Sequence, residues 1–317
     1  MLAHLAKQHH HLNFPQEIMP RLDGVLRYFL YKNASLGAAF KEIAGELRKH
    51  DIPLLLMKGI AMKHLRPGFI RPMFDVDFAV PDDCMEEAVQ LALQSGYQTR
   101  YSRNSPHSVD LDKGKNISID IHRFLIKSKL DNTGNTDRAI WSRATKIQAF
   151  GGEVFMPIAE DQLFLSFTNA YHNITHLHEF HGNFMWLFDC SHILQENQNF
   201  DWNIVLDNAG KVGLTYQIKI MLELLRHFLP DLRLQISPAE INLESRMEKA
   251  AAEKLKWDIL HNKIAKIRHY RERLHLLQSS NWADLVFWTK IRAQYRFFRT
   301  VQKNSMANYL LLNMVAK

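Results

Sequence analysis

The chain of 317 residues holds two cysteines, Cys84 and Cys190, far apart and without metal-ligand spacing, so no disulfide framework is expected and a reducing compartment is. With 13 Gly and 10 Pro, collagen-like, mucin-like and disordered classes are excluded as well, since 46% of the residues are apolar and 23% charged. Long apolar runs are also missing. No stretch approaches the ~18 uninterrupted apolar residues of a membrane span, and the N-terminal MLAHLAKQHHHLNF lacks the apolar core of an export signal. A cytoplasmic protein of about two domains is the expectation, each long enough to bury a core of its own.

What the chain does have is an uneven charge. The formal net charge is +7, yet Arg246 to Lys317 carries 15 Lys+Arg against 5 Asp+Glu, which leaves the first 245 residues slightly acidic. Such an end can meet nucleic acid, a polyphosphate or an anionic surface, or can simply be solvated. Within it Trp288, Ile291, Tyr295 and Phe298 form one helical stripe, and Arg292, Arg296, Arg299 and Lys303 form the adjacent one. A core face with a solvated flank is the default for such a stripe; a contact for RNA, peptide or membrane surface is the alternative.

Residues 16 to 50 read as helical, with Leu36, Phe40, Ile43, Ala44 and Leu47 at three- and four-residue spacing. Pro53 breaks that pattern, and Leu54, Leu55 and Leu56 read as a buried strand feeding a turn at Lys58-Gly59, with a short helix to about Leu65. In Phe74-Asp75-Val76-Asp77-Phe78-Ala79-Val80, the apolar Phe74, Val76, Phe78 and Val80 alternate with Asp75 and Asp77. A strand repeats every two residues, so the carboxylates share a polar face and the large apolar side chains pack beneath. Pro81-Asp82-Asp83 reads as a helix start with a capping carboxylate, and the helix ends at Ser95-Gly96. Strands follow around 97–102 and 108–112. In Ile117-Ser118-Ile119-Asp120-Ile121-His122 the alternation puts Asp120 and His122 on one polar face. A hairpin surrounds Gly151-Gly152, and beyond Pro157 the pattern is helical. These signals predict an α+β unit over 1–158 and an all-α unit over 159–317.

Two aspartates two residues apart on a strand, with a third carboxylate from a neighbouring strand, are suited to hold hard cations such as Mg²⁺. The third carboxylate can also accept a proton from an attacking hydroxyl. Leu56-Met57-Lys58-Gly59-Ile60-Ala61, then Arg71-Pro72-Met73-Phe74-Asp75-Val76-Asp77, then Ile119-Asp120-Ile121-His122, resembles the uncharacterised nucleotidyltransferase family of the polymerase-β-like nucleotidyltransferase superfamily. The resemblance extends through Trp186-Leu187-Phe188-Asp189, Asp201-Trp202 and the Gly near 213.

That resemblance implies a polymerase-β-like mixed sheet with flanking helices, in which Asp75, Asp77 and Asp120 are the catalytic, metal-binding carboxylates. It also implies a pair of Mg²⁺ ions, with Mn²⁺ as a substitute, and an NTP co-substrate for which ATP is the default. Gly59 would open a helix facing the triphosphate, and Lys58 and Arg71 would neutralise phosphate charge. Where the wider superfamily has Gly-Gly or Gly-Ser at that turn, this chain has Lys58-Gly59-Ile60. His122 would orient substrate or carry a proton, against the plainer reading of a half-exposed histidine at a strand end. The expected activity is transfer of an NMP, by default AMP, to a hydroxyl or phosphate oxygen of an acceptor that is a small molecule, peptide, protein or RNA. The alternative is a catalytically silent nucleotide-binding or RNA-binding module working through the basic C-terminal helix. His172, His176 and Glu179 have helical spacing for zinc, although packing is the default for them.

Overall fold

A 31-residue helix, α1 (Met19–Lys49), is set by its apolar stripe. Leu22, Phe29, Asn33, Leu36, Phe40, Ile43 and Leu47 fall at three- to four-residue intervals or multiples of them, and all are buried. Arg48 and Lys49 sit in its last turn, where cations complement the helix dipole. The computed structural model describes residues 19–65, 70–100, 107–126, 134–176, 185–197 and 199–229, with Leu232 and Ile236.

After α1 come β1 (Leu55–Leu56), α2 (Lys58–Leu65), β2 (Val76–Ala79), a 3-10 turn (Asp82–Cys84), α3 (Met85–Gln94), β3 (Gln98–Thr99), β4 (Ser108–Lys113) and β5 (Ile117–His122). Then follow α4 (Asn135–Arg143), the hairpin β6 (Thr145–Ala149) and β7 (Gly152–Met156), and the helices α5 (Ala159–His176), α6 (Met185–Glu196), α7 (Trp202–Lys211) and α8 (Thr215–Phe228). The seven strands form one mixed sheet in the order β3-β4-β5-β2-β1-β7-β6. Every described element after Met156 is helical.

Register decides what the sheet presents. β2 runs parallel to β5 and pairs Val76 with Ile119, Asp77 with Asp120, Phe78 with Ile121 and Ala79 with His122. Because side chains alternate across a strand, Val76, Phe78, Ile119 and Ile121 point to one face and Asp77, Asp120 and His122 to the other. The first face is dry. It joins Leu36, Phe40, Ile43 and Leu47 of α1 and Met85, Ala88 and Leu91 of α3 in one buried cluster. Each such side chain contributes about 1.5–3 kcal/mol on burial, so a slip of one residue, which would turn the acids inward, is strongly opposed.

The structure corrects three local expectations. β2 begins at Val76, so Asp75 and Phe74 lie in the bend ahead of it. Phe74 does not pack beneath the sheet: it is 51% exposed, lies edge-on to Phe29 at 5.6 Å, and has Lys32 Nζ 5.2 Å from its ring centre. The ladder cannot start earlier because Asn33 of α1 holds the preceding segment, accepting from Met73 N at 3.2 Å and donating to Arg71 O at 2.7 Å. All four residues of β2, Asp77 among them, lie buried in the middle of the sheet. Finally, neither the 3-10 turn nor α3 has a capping side chain; Asp82 instead pairs with Arg123.

By packing, the chain forms two compact units. One takes the described residues up to Asn169 with Asp189–Gly213; the other takes those of Ala170–Phe188 and from Leu214 onward. All residues of the candidate site belong to the first unit. There Asp201 caps α7 by accepting from Asn203 N, and the positive φ of Gly213 closes it.

Candidate active site

The chain leaves β1 through Met57, whose N–H donates to Asp77 O at 3.2 Å, and turns sharply at Lys58. Lys58 has φ of +47°, the left-handed region that a non-glycine residue adopts at a cost and that concentrates at functional sites. The turn carries its ammonium back to Asp77 Oδ1, with which it forms a hydrogen-bonded ion pair. Gly59 follows, buried in the first turn of α2. An ideal Cβ at Gly59 would stand 2.5 Å from Arg71 Nη1 and 2.9 Å from Met73 Cγ and Sδ, so only glycine lets these side chains cross the helix start.

Asp77 and Asp120 stand abreast on adjacent strands. His122 Nε2 lies 3.1 Å from Asp77 Oδ1 and 3.0 Å from Asp120 Oδ2, and ligand atoms of all three residues fall within 4.8 Å of one another. The partner of His122 in the β2–β5 register is Ala79, whose methyl leaves room for the imidazole to lie over the carboxylates. Far from being half-exposed, His122 is 1% exposed, and its Nδ1 is 3.2 Å from His107 Nε2. On the other side of Asp120, Asp110 of β4 is its register partner, so three carboxylates run in a row across β2, β5 and β4.

Burial opposes the charge on Asp77 and Asp120, but it is outweighed. Lys58 and the His122 hydrogen bond hold Asp77 below the usual carboxylate range, and His122, with Lys58, does the same for Asp120. Asp75 behaves differently: burial and the neighbouring Asp77 charge push it up to about 6, against the pull of Lys58. Burial and Lys58 work against a charged His122, yet the two carboxylates raise its pKa. Lys58 is raised too, its burial overcome by Asp77, Asp120 and Asp75.

A hard divalent cation fits this donor set. Carboxylate oxygens converge, and the buried Oδ1 of Asp120 has no hydrogen-bond partner among the described residues. Excess negative charge draws an ammonium into the cluster, as a divalent ion would be drawn. Of the residues expected from sequence, the structure brings Asp77, Asp120, His122 and Lys58 into direct contact. It leaves Asp75 within their field but outside the three-residue ligand cluster. Gly59 and Arg71 meet at the start of α2, where the Arg71 guanidinium is already engaged. Its Nε donates to Asp189 Oδ1 and its Nη2 to Asp189 Oδ2, both at 2.8 Å.

Four residues of this neighbourhood carried no expected role: Asn33, His107, Asp110 and Asp189. Three had a visible signal. Asn33 is a polar residue inside the buried stripe of α1, and Asp189 is a charge within the otherwise apolar Trp186-Leu187-Phe188-Asp189-Cys190. Asp110 shares the period-two alternation of Val109 and Leu111, whereas nothing local marks His107. His172 and His176 fall on the last turns of α5, but their side chains, Glu179 and the basic stripe of 288–303 lie outside the described residues.

A family model described as an uncharacterised nucleotidyltransferase matches residues 1–230. Among solved structures, the chain is similar to the antibiotic-resistance factor ANT(2'')-Ia, at 12% identity and a TM-score of 0.41 over 62% of this chain and 98% of that one. It is similar also to the lincosamide antibiotic adenylyltransferase LnuA, at 15% identity and a TM-score of 0.34 over 48% and 92%. An antigenic nucleotidyltransferase-like protein from Paracoccidioides brasiliensis aligns at 13% identity and a TM-score of 0.41 over 65% and 97%. No curated protein matches the chain.

Proposed function

We propose, for a chain that belongs to the uncharacterised nucleotidyltransferase family and is a nucleotidyltransferase, that it moves AMP from ATP to an acceptor oxygen in a Mg²⁺-dependent reaction. The acceptor oxygen, a hydroxyl or phosphate of a small molecule, peptide, protein or RNA, attacks the α-phosphorus. The bond from that phosphorus to the bridging oxygen breaks, and pyrophosphate leaves. Asp120, ionised at neutral pH, takes the proton when the acceptor is a hydroxyl. Lys58, Arg71 and the first amides of α2 hold the phosphates, because helix-start N–H groups lack intrahelical acceptors and carry positive partial charge. His122, hydrogen-bonded to both Asp77 and Asp120, fixes the orientation of the two carboxylates.

Asp75, Asp77 and Asp120 are the residues that would hold Mg²⁺, or Mn²⁺ in its place. As a pair of bound ions, the metal supplies neutralisation of the charge that develops on the phosphates. The observation that carries this reading is the pairing of Asp77 with Asp120 in the β2–β5 register, with one imidazole nitrogen bridging them. A catalytic part up to residue 158 and a helical part beyond it belong to the same proposal, since among the described residues all seven strands precede that point. So does a cytoplasmic location; among the described residues no helix is long and apolar enough to cross a membrane.

The test incubates the full chain with each α-labelled NTP, Mg²⁺ and a cell extract fractionated into protein, RNA and small molecules. Label should pass to one fraction from ATP, and Asp77→Asn and Asp120→Asn should each cut transfer by roughly 10²-fold or more. Label transfer that survives in both variants would refute the assignment.

A further inference from the structure

Arg71 and Asp189 are 118 positions apart in sequence, yet they make a two-pronged ion pair with side chains 14% and 6% exposed. A guanidinium has three nitrogens in one plane, and a carboxylate that takes Nε and Nη2 fixes that plane and leaves Nη1 as the remaining donor arm. Among the described residues, Nη1 makes a single long contact, 3.4 Å, to Pro72 O. It is also the atom that lies against Gly59, 2.5 Å from where a Cβ would stand, at the first turn of α2. The backbone that bears the side chain is held as well, since Asn33 bonds on both sides of Pro72. Asp77 and Asp75 both act on the Arg71 charge, which puts the guanidinium in the field of the acidic cluster.

A salt bridge that served only to join α6 to the segment ahead of β2 would need neither the glycine nor an arm left with so weak a contact. We infer that Asp189 is a positioning residue for nucleotide binding: it locks Arg71 so that Nη1 is presented over Gly59 to the polyphosphate of a nucleoside triphosphate. This rests on the nucleotidyltransfer reading above and adds to it the residue that orients the phosphate arm. Asp189 offsets the charge of Arg71, so its contribution is geometric. What it secures is the direction of one N–H edge toward phosphate oxygens, a match that a guanidinium makes and an ammonium does not.

Calorimetric titration of the full-length chain with ATP and with AMP, in the presence of Mg²⁺, tests the inference. Thermal unfolding is recorded for each variant alongside. Asp189→Asn replaces one acceptor oxygen by an NH₂ that opposes Arg71 Nη2, and should weaken ATP binding about tenfold while changing AMP binding less than about twofold. Arg71→Lys should give the same loss of ATP preference with the charge retained. Because a lone buried charge can unfold a protein, the pair is also removed together as Arg71→Met with Asp189→Leu, which leaves no unpaired ion. That double variant should melt near the wild type and still lose the preference for ATP over AMP.

An unchanged ATP-to-AMP ratio in Asp189→Asn and in the double variant, with only the melting temperature moved, overturns the positioning role and leaves a structural ion pair. Failure of the wild-type chain to bind any of the four NTPs overturns the nucleotide reading itself, and the inference with it.

Discussion

Lys58→Met is the substitution on which the electrostatics of the site can be judged. The Lys58 ammonium pairs with Asp77 and acts on Asp120 beside His122 and on Asp75 beside Arg71, so methionine, which keeps most of the side chain's length, takes away the cation that these acids share. Leaving one member of a fully buried pair costs about 3–5 kcal/mol. Lys58 is 24% exposed and Asp77 8%, so water relieves part of this, and a loss of about 2–3 kcal/mol is expected in chelator at pH 8. For a chain of this size that is a fall in Tm on the order of 3–5 °C.

Acid should soften the effect. A carboxyl whose folded-state pKa lies above its unfolded value binds more protons when folded, so it costs stability as pH rises through that window. Asp75, pushed up to about 6 from 3.8, is already such a group, and loss of Lys58 removes a cation that lowers it. The gap between variant and wild type should therefore narrow from pH 8 to pH 5. Mg²⁺ or Mn²⁺ should narrow it too: an ion at a hundred times its Kd adds about 2.7 kcal/mol, and the variant has no ammonium to displace. Urea unfolding at both pH values, with chelator and with Mg²⁺, reads all of this. The reasoning fails if the variant is as stable as the wild type in chelator at pH 8, or if divalent ions stabilise the wild type more than the variant.

Gly59→Ala should destabilise by about 1–3 kcal/mol, because its Cβ meets Arg71 and Met73 at 2.5–2.9 Å, and should weaken ATP binding more than AMP binding; urea unfolding and titration check the two effects. The two thiols should differ in reactivity toward iodoacetamide. Burial, helped by Asp189, pushes Cys190 well up, and burial with Asp83 raises the less enclosed Cys84. Since the thiolate is the reacting form, labelling of the native chain at pH 8 followed by peptide mass analysis should modify Cys84 slowly and Cys190 only after unfolding. Equal labelling of both would contradict the burial of α6.

Much of the site could be read one segment at a time. The alternation of Ile117, Ile119 and Ile121 with Asp120 and His122 determines that acid and imidazole share a face, because a strand's period of two is a property of the backbone alone. The same holds for Asp77 against Val76 and Phe78, and Lys58-Gly59 after three leucines marks the turn. Alternation also overreached at Phe74 and Asp75, where the pattern continues but the ladder does not. How far a strand extends depends on what holds its ends, here the amide of Asn33 from a distant helix.

Composition and periodicity thus determined the core face, the turn and the face on which Asp77 and Asp120 each stand, all of which follow from spacing within a segment. That Asp77 lies beside Asp120, that His122 is enclosed between them, and that Asp189 aims Arg71 were decided only by the tertiary structure. Each of these depends on register or contact between residues 43 or more positions apart, and a local pattern states which way a side chain faces but not what stands opposite.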